Sequence, residues 1–143
     1  MDTSIISAQA AYQEINDAGL STYIDVRTVA EFVEGRPKGN VINIPIVFFH
    51  PTSGNTHTNE AFVLVANHTL SNKDLIIVGA DEGDRCLIAA KNLVQAGFLN
   101  VRIMQDGLLG WRKEGLPVTG DNRPGVSYVS LLTPARRAKP EKS

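Results

Sequence analysis

The stretch Ala80-Asp81-Glu82-Gly83-Asp84-Arg85-Cys86 gathers one thiol, one guanidinium and three carboxylates into seven consecutive residues. Cys86 is the only cysteine of the chain. Near the start of a helix its thiolate would be favoured by the helix dipole, which makes it a candidate nucleophile. The opposing reading is a small side chain packed into the first helical turn. Carboxylates raise the pKa of a nearby thiol and repel anions, so Asp81, Glu82 and Asp84 work against a thiolate here. Arg85 has two readings as well. It could bind an anionic group, or it could pair with one of those carboxylates and hold the loop closed. Upstream, Asp25 and Arg27 form a second candidate polar pair. His50, His57 and His68 are spaced by seven and eleven residues with no acidic or cysteine cluster around them. Metal ligands of a compact site come at tighter spacing, so these read as loop histidines, and neither a metal nor a cofactor is expected.

The seven residues lie between the clearest strand and the clearest helix. Asp74-Leu75-Ile76-Ile77-Val78-Gly79 is apolar on both faces, as a central parallel strand should be. The helix runs from Asp84 to Ala96. It places Lys91, Asn92 and Gln95 on one arc and Leu87, Ala90, Leu93 and Val94 on another, and Gly97 ends it. A strand, loop and helix in this order aim backbone N–H groups and the positive helix end at one spot, which suits an anion. Open α/β sheets contain several such junctions, so the geometry alone does not single this one out.

The other elements alternate in the same way. Ser7 caps a helix over Ala8 to Ala18, with Ile6, Ala10, Ala11, Tyr12 and Ile15 as apolar positions, and Gly19 ends it. Thr22 to Val26 is a strand. Thr28 with Glu31 three residues on makes a capping box for a short helix to Val33, broken by Gly35, Pro37 and Gly39. Val41 to Ile44 is a strand, 48–58 is a loop rich in turn residues, and Asn59 to about Asn67 is helical. Asn100 to Met104 is a strand, and Leu108 to Glu114 is a short helix holding a core tryptophan, Trp111. This alternation predicts an α/β fold: a parallel sheet of about five strands with helices on both faces. The texture changes after Pro117. A domain over 1–120 is expected, followed by a C-terminal extension over 121–143. Val126 to Leu132 would pack as an appended segment, and a disordered basic tail would begin at about 134.

The composition narrows the class. The chain has 143 residues, enough for one domain with its own core. A net charge of −1 argues against a broad nucleic-acid footprint, which needs clustered basic charge. A single cysteine makes no intramolecular disulfide, so a reducing, intracellular compartment is expected, with cytoplasm and an organelle such as a plastid both open. No apolar run approaches the roughly 18 residues of a membrane span. Met1 to Ile6 has no basic stretch followed by an apolar block, so no signal peptide is expected.

Three stretches in register carry a family resemblance. Tyr23-Ile24-Asp25-Val26-Arg27, Glu31-Phe32, Gly39 and Ile42-Asn43-Ile44-Pro45 resemble the opening motif of rhodanese (sulfurtransferase) domains. Ala96-Gly97-Phe98-Leu99-Asn100-Val101, Asp106-Gly107-Leu108-Leu109-Gly110-Trp111 and Gly115-Leu116-Pro117-Val118 resemble the closing motif. The loop 80–86 stands between them at the right distance, and the resemblance to the small single-domain type spans about Ser7 to Val118. It implies a rhodanese-like fold. It also implies a loop whose first residue is a cysteine that carries sulfur as a persulfide, followed by glycine, arginine and a small residue. Gly83, Arg85 and Cys86 match the later positions, but Ala80 stands at the first. Alanine offers no nucleophile. The chain is then either a naturally non-catalytic member or a cysteine-to-alanine variant of an active one. Three carboxylates in the loop favour the first, because a simple variant would keep neighbours suited to an anionic donor. In the resembled family, residues such as Asp25 and Arg27 mainly brace the loop and sheet. Arg36 in place of a frequent histidine, and Asp106 in place of a glycine, are further departures. The expectation is therefore a binding or regulatory module (a pseudoenzyme) whose acidic cleft suits a protein partner with a basic segment. The alternative is a thiosulfate-type sulfurtransferase, acting through Cys86 or with its persulfide-carrying cysteine replaced by Ala80.

Overall fold

The computed structural model describes residues 4–17, 21–49, 52–80, 85–104, 106–120 and 126–138. The chain opens with strand β1 (Ser4–Ile6) and helix α1 (Ala8–Tyr12), which widens into a π-helical turn over Gln13–Asp17. Ser7 caps α1 as expected, its Oγ accepting from the Ala10 N–H at 3.1 Å. There follow β2 (Ser21–Asp25), α2 (Val29–Glu34), β3 (Arg36–Pro37), β4 (Val41–Asn43), β5 (Val47–Phe49), β6 (Thr56–Thr58) and α3 (Phe62–Thr69). The second half holds β7 (Leu75–Gly79), α4 (Arg85–Gln95), β8 (Asn100–Met104), α5 (Gly107–Lys113), β9 (Val118–Thr119) and α6 (Tyr128–Ala138).

Five strands form one sheet in the order β1-β8-β7-β2-β4, every pairing parallel. The chain crosses over between neighbours with helices, as parallel pairing requires. Alternation along the strands divides the core. Ile24, Ile76 and Val78 face one side, packing with Phe62 and Val65 of α3, Ala89 and Leu93 of α4, and Leu131 of α6. Tyr23 and Ile77 face the other, packing with Ala11, Phe32, Leu108 and Trp111. β7 lies at the centre with Ile76, Ile77 and Val78 fully buried, which is why it reads as a continuous apolar run. Trp111 is enclosed in the core as expected, its Nε1–H donating to the Pro117 carbonyl at 2.7 Å.

Four features differ from the sequence-based expectation. β1 is an edge strand that pairs with β8, so Ile6 belongs to a strand and not to the first helix. The expected loop over 48–58 contains an antiparallel hairpin, with Val47 opposite Thr58 and Phe49 opposite Thr56. On α4 the buried positions are Cys86, Ala89, Ala90 and Leu93, while Leu87 is 56% exposed. The face of α4 turned to the core is built on small Ala89 and Ala90, and Leu87 lies outside it. Finally, the basic tail does not begin at 134. Helix α6 runs through Pro134 to Ala138, and Tyr128, Leu131 and Ala135 are buried in the same core cluster as α3. Burial of one α6 face outweighs the single backbone donor that Pro134 lacks.

Candidate functional site

The carboxyl end of β7 is fixed from three sides. Gly79 stands opposite Asp25 in the β2–β7 ladder, and its carbonyl accepts from the Val26 N–H at 3.0 Å. A Cβ on Gly79 would lie 1.7 Å from the Tyr23 hydroxyl, so only glycine leaves room for that buried ring. Ala80 follows. Its side chain is enclosed, at 1% exposure, and its carbonyl accepts from the Leu108 N–H at the start of α5, at 2.8 Å. Asp106, just before α5, takes a left-handed conformation with φ of 64°. This is where the resembled motif has glycine, and an aspartate tolerates the left-handed region better than most side chains do. Asp81, Glu82, Gly83 and Asp84 lie outside the described residues.

The loop resumes at Arg85, the first residue of α4, and the structure gives it a partner from a distant part of the chain. Its Nη1 donates to Glu31 Oε1 at 2.8 Å and its Nη2 donates to Glu31 Oε2 at 3.3 Å. Glu31 is held from its own side too. The expected capping box of α2 is present: the Thr28 N–H and Oγ1 each lie 3.0 Å from Glu31 Oε1, and Thr28 Oγ1 accepts from the Glu31 N–H. Burial alone would raise the Glu31 pKa from its ordinary 4.5. The Arg85 hydrogen bonds, the Thr28 N–H and the Arg85 charge together outweigh burial and bring it to about 2. One carboxylate thus joins the start of α2 to the start of α4.

This ion pair forms one edge of a cleft of about 540 Å³. Glu31 and Glu34 come from α2, Val47 and Phe49 from β5, Thr56 from β6 and Arg85 from α4. Phe49 is 54% exposed, an aromatic surface presented by the hairpin. Phe48, its neighbour, faces the opposite way, tilted against His57 and Tyr128 at 5.5 and 6.1 Å between ring centres. The hairpin that sequence reasoning missed therefore builds one wall. Its signal was partial: apolar Val47-Phe48-Phe49 and β-branched Thr56 and Thr58 flank the turn residues Pro51, Ser53 and Gly54.

The other named residues lie apart from this cleft. Cys86 is buried, and its side chain belongs to the core cluster of α3, α4 and α6. Asp25 and Arg27 form an enclosed pair, with Nε–Oδ1 and Nη2–Oδ2 distances of 2.9 and 2.7 Å. Arg27 Nη2 also donates to the Gly35 carbonyl at 2.6 Å, which fixes the end of α2. Asn43 Nδ2 donates to the carbonyls of Asp25 and Arg27 at 2.9 and 3.0 Å, tying in β4. Arg36 is buried in the β3–β9 ribbon with its guanidinium 4.1 Å from the centre of the Phe32 ring. His57 lies on β6 and His68 in the last turn of α3, while His50 lies outside the described residues. Among the described residues, no group of three His, Cys, Asp or Glu side chains could hold a metal ion. No helix among them is long and apolar enough to cross a membrane.

Comparison with known proteins gives one family. The rhodanese-like domain family matches residues 7–114. The chain is 34% identical over 112 residues to the rhodanese-like domain-containing protein 17 of Arabidopsis thaliana, covering 78% of this chain and 70% of that protein. It is 35% identical over 95 residues to thiosulfate sulfurtransferase 16, chloroplastic, of the same plant, covering 66% and 77%. In fold it is similar to the crystal structure of the Alr3790 protein from Anabaena sp., with a TM-score of 0.68 over 81% of this chain and 82% of that one, at 23% identity. The five-stranded parallel sheet, the helices on both of its faces and a family match that spans the loop after β7 agree, and the chain belongs to the rhodanese-like domain family.

Proposed function

We propose that this chain is a non-catalytic rhodanese-like domain that binds a protein segment in the cleft between α2, the β5–β6 hairpin and α4. The observation that carries this reading is Ala80. It occupies the first position of the loop, where the family motif has the sulfur-carrying cysteine, and its methyl group is enclosed at the strand end. A methyl group can neither attack a sulfur donor nor carry a persulfide. The cleft remains and offers exposed Phe49 and two glutamates against a single arginine. That balance suits a segment with a basic side chain beside an apolar one, which could stack on the ring and pair with Glu34. Relatives named as thiosulfate sulfurtransferases support the reaction class that such a domain would have had, and the chloroplastic one supports a reducing organelle such as a plastid as a home.

The second reading is sulfur transfer, through Cys86 or through a cysteine that Ala80 replaces. Burial of Cys86 in the core weighs against the first route, because a donor has to reach the thiol. The deciding experiment is incubation with thiosulfate followed by intact mass, with Ala80→Cys alongside. No added sulfur on either protein is the expected result. Sulfur on the protein as it stands would make it a carrier and defeat the proposal. Sulfur on Ala80→Cys alone would point to an enzyme silenced by that one residue.

A further inference from the structure

We infer that Tyr128 of α6 positions the Phe49 wall of the cleft, acting through Phe48 on the far side of β5. The inference rests on reading the cleft as a binding site and adds the residue that sets its shape. Phe48 and Phe49 are consecutive in β5, so their side chains leave the strand on opposite faces. Phe49 lines the cleft while Phe48 packs against the core cluster, and whatever fixes one ring therefore directs the other. The β5–β6 hairpin is a sheet of two short strands, and all three residues of β6 are exposed. A ribbon of that size is marginal by itself, so its direction has to come from packing on one face. On that face Tyr128 is tilted against Phe48 with 6.1 Å between ring centres, a separation at which aromatic pairs attract. Tyr128 is buried and is itself held: its hydroxyl accepts from Asn59 Nδ2 at 3.0 Å. The same Nδ2 donates to the Pro45 carbonyl at 2.8 Å, and the Asn59 N–H donates to the Ile46 carbonyl at 2.9 Å. Asn59 directly follows β6, and Pro45 and Ile46 directly precede β5, so the two feet of the hairpin meet at the asparagine that Tyr128 binds. Leu131 and Ala135 dock α6 in the core one and two turns further on. The family match ends at residue 114, so the ring that holds this wall comes from the segment that follows it.

The test reads backbone amide order parameters of the whole protein by NMR, with no ligand added. Tyr128→Leu is the informative variant. It removes the ring and the hydroxyl but keeps an apolar side chain on the buried face of α6, so the helix should stay docked through Leu131 and Ala135. Order parameters at Phe49 and Thr56 are expected to fall from the rigid value of about 0.85 to below about 0.6, with those of β2 and β7 unchanged. Tyr128→Phe keeps the ring against Phe48 and is expected to recover most of the loss. Met104→Ala is the control. It opens a cavity in the core on the other face of the sheet, and the hairpin should stay ordered. Unchanged order at Phe49 and Thr56 in Tyr128→Leu would overturn the inference. So would an equal loss in Met104→Ala, since general loosening would then explain it, and so would a Tyr128→Phe hairpin as mobile as that of Tyr128→Leu. The outcome is separable from the proposed function. Loss of order confined to the hairpin upholds the role of Tyr128 even if the protein takes sulfur from thiosulfate and the non-catalytic reading falls.

Discussion

Two arginine–carboxylate pairs lie near the carboxyl edge of the sheet, and they differ in nearly everything except chemistry. Asp25 and Arg27 are two residues apart in sequence, with side chains 1% and 5% exposed. Glu31 and Arg85 are 54 residues apart, with side chains 35% and 24% exposed. The first pair is surrounded by backbone: the Gly35 carbonyl accepts from Arg27, and Asn43 bridges the carbonyls of both residues. It has no remaining surface with which to meet a ligand. The second stands at the lip of a cleft, in contact with water on one side. Enclosure makes a charge pair costly to break and chemically silent. Exposure makes it cheap to break and leaves it in reach of whatever enters the cleft.

Removing one member of the enclosed pair should sharpen this contrast most. Arg27→Ala would leave Asp25 buried without its counter-charge, and a loss of about 3–5 kcal/mol is expected in urea unfolding. A loss below about 1 kcal/mol would mean that the enclosure is less complete than the structure has it. Arg85→Ala should cost much less, about 1 kcal/mol or under, because a third of the Glu31 side chain is exposed and solvent screens the pair. Raising the salt concentration should shrink the Arg85 effect and leave that of Arg27 nearly unchanged. Similar salt dependence for the two variants would erase the distinction.

The smallest expected effect is in the response to acid. Glu31 is depressed from 4.5 to about 2 in the folded protein. A carboxylate with a lowered folded-state pKa stabilises the fold fully above its unfolded pKa, and that contribution disappears as the pH falls. The difference in stability between wild type and Glu31→Gln should therefore hold above pH 4.5, decline below it, and be gone near pH 2. A difference that stays constant across this window would show that Glu31 stabilises by something other than its charge.

The contrast also explains which parts of the site could be read from the sequence. Local patterns survived folding intact. The Thr28–Glu31 capping box, the apolar run of β7 and the body of α4 all depend on residues a few positions apart. Asp25 and Arg27, separated by one residue, were legible as a pair for the same reason. The pairing of Arg85 with Glu31 was not. Asp81, Glu82 and Asp84, the partners that sequence offered, lie outside the described residues, and nothing local pointed to Glu31 across 54 positions. The hairpin escaped because its strands are short and Thr56, His57 and Thr58 are all exposed, leaving no in–out alternation of polarity on β6. The stretch 126–132 was expected to pack, but the continuation of α6 through Ala135 to Ala138 escaped because Pro134 and the basic residues after it read as a tail.

By itself the sequence determined the order of β2, β4, β7 and β8 with the helices between them, and the presence of alanine at the head of the loop, since periodicity, caps and residue identity are properties of neighbours along the chain. The tertiary structure alone decided that Arg85 faces Glu31, that Cys86 and the Asp25–Arg27 pair turn inward, and that the β5–β6 hairpin closes a cleft beside α2. Those outcomes follow from crossovers that stack β2, β7 and their helices side by side, and long-range packing of this kind leaves no mark on the spacing of residues.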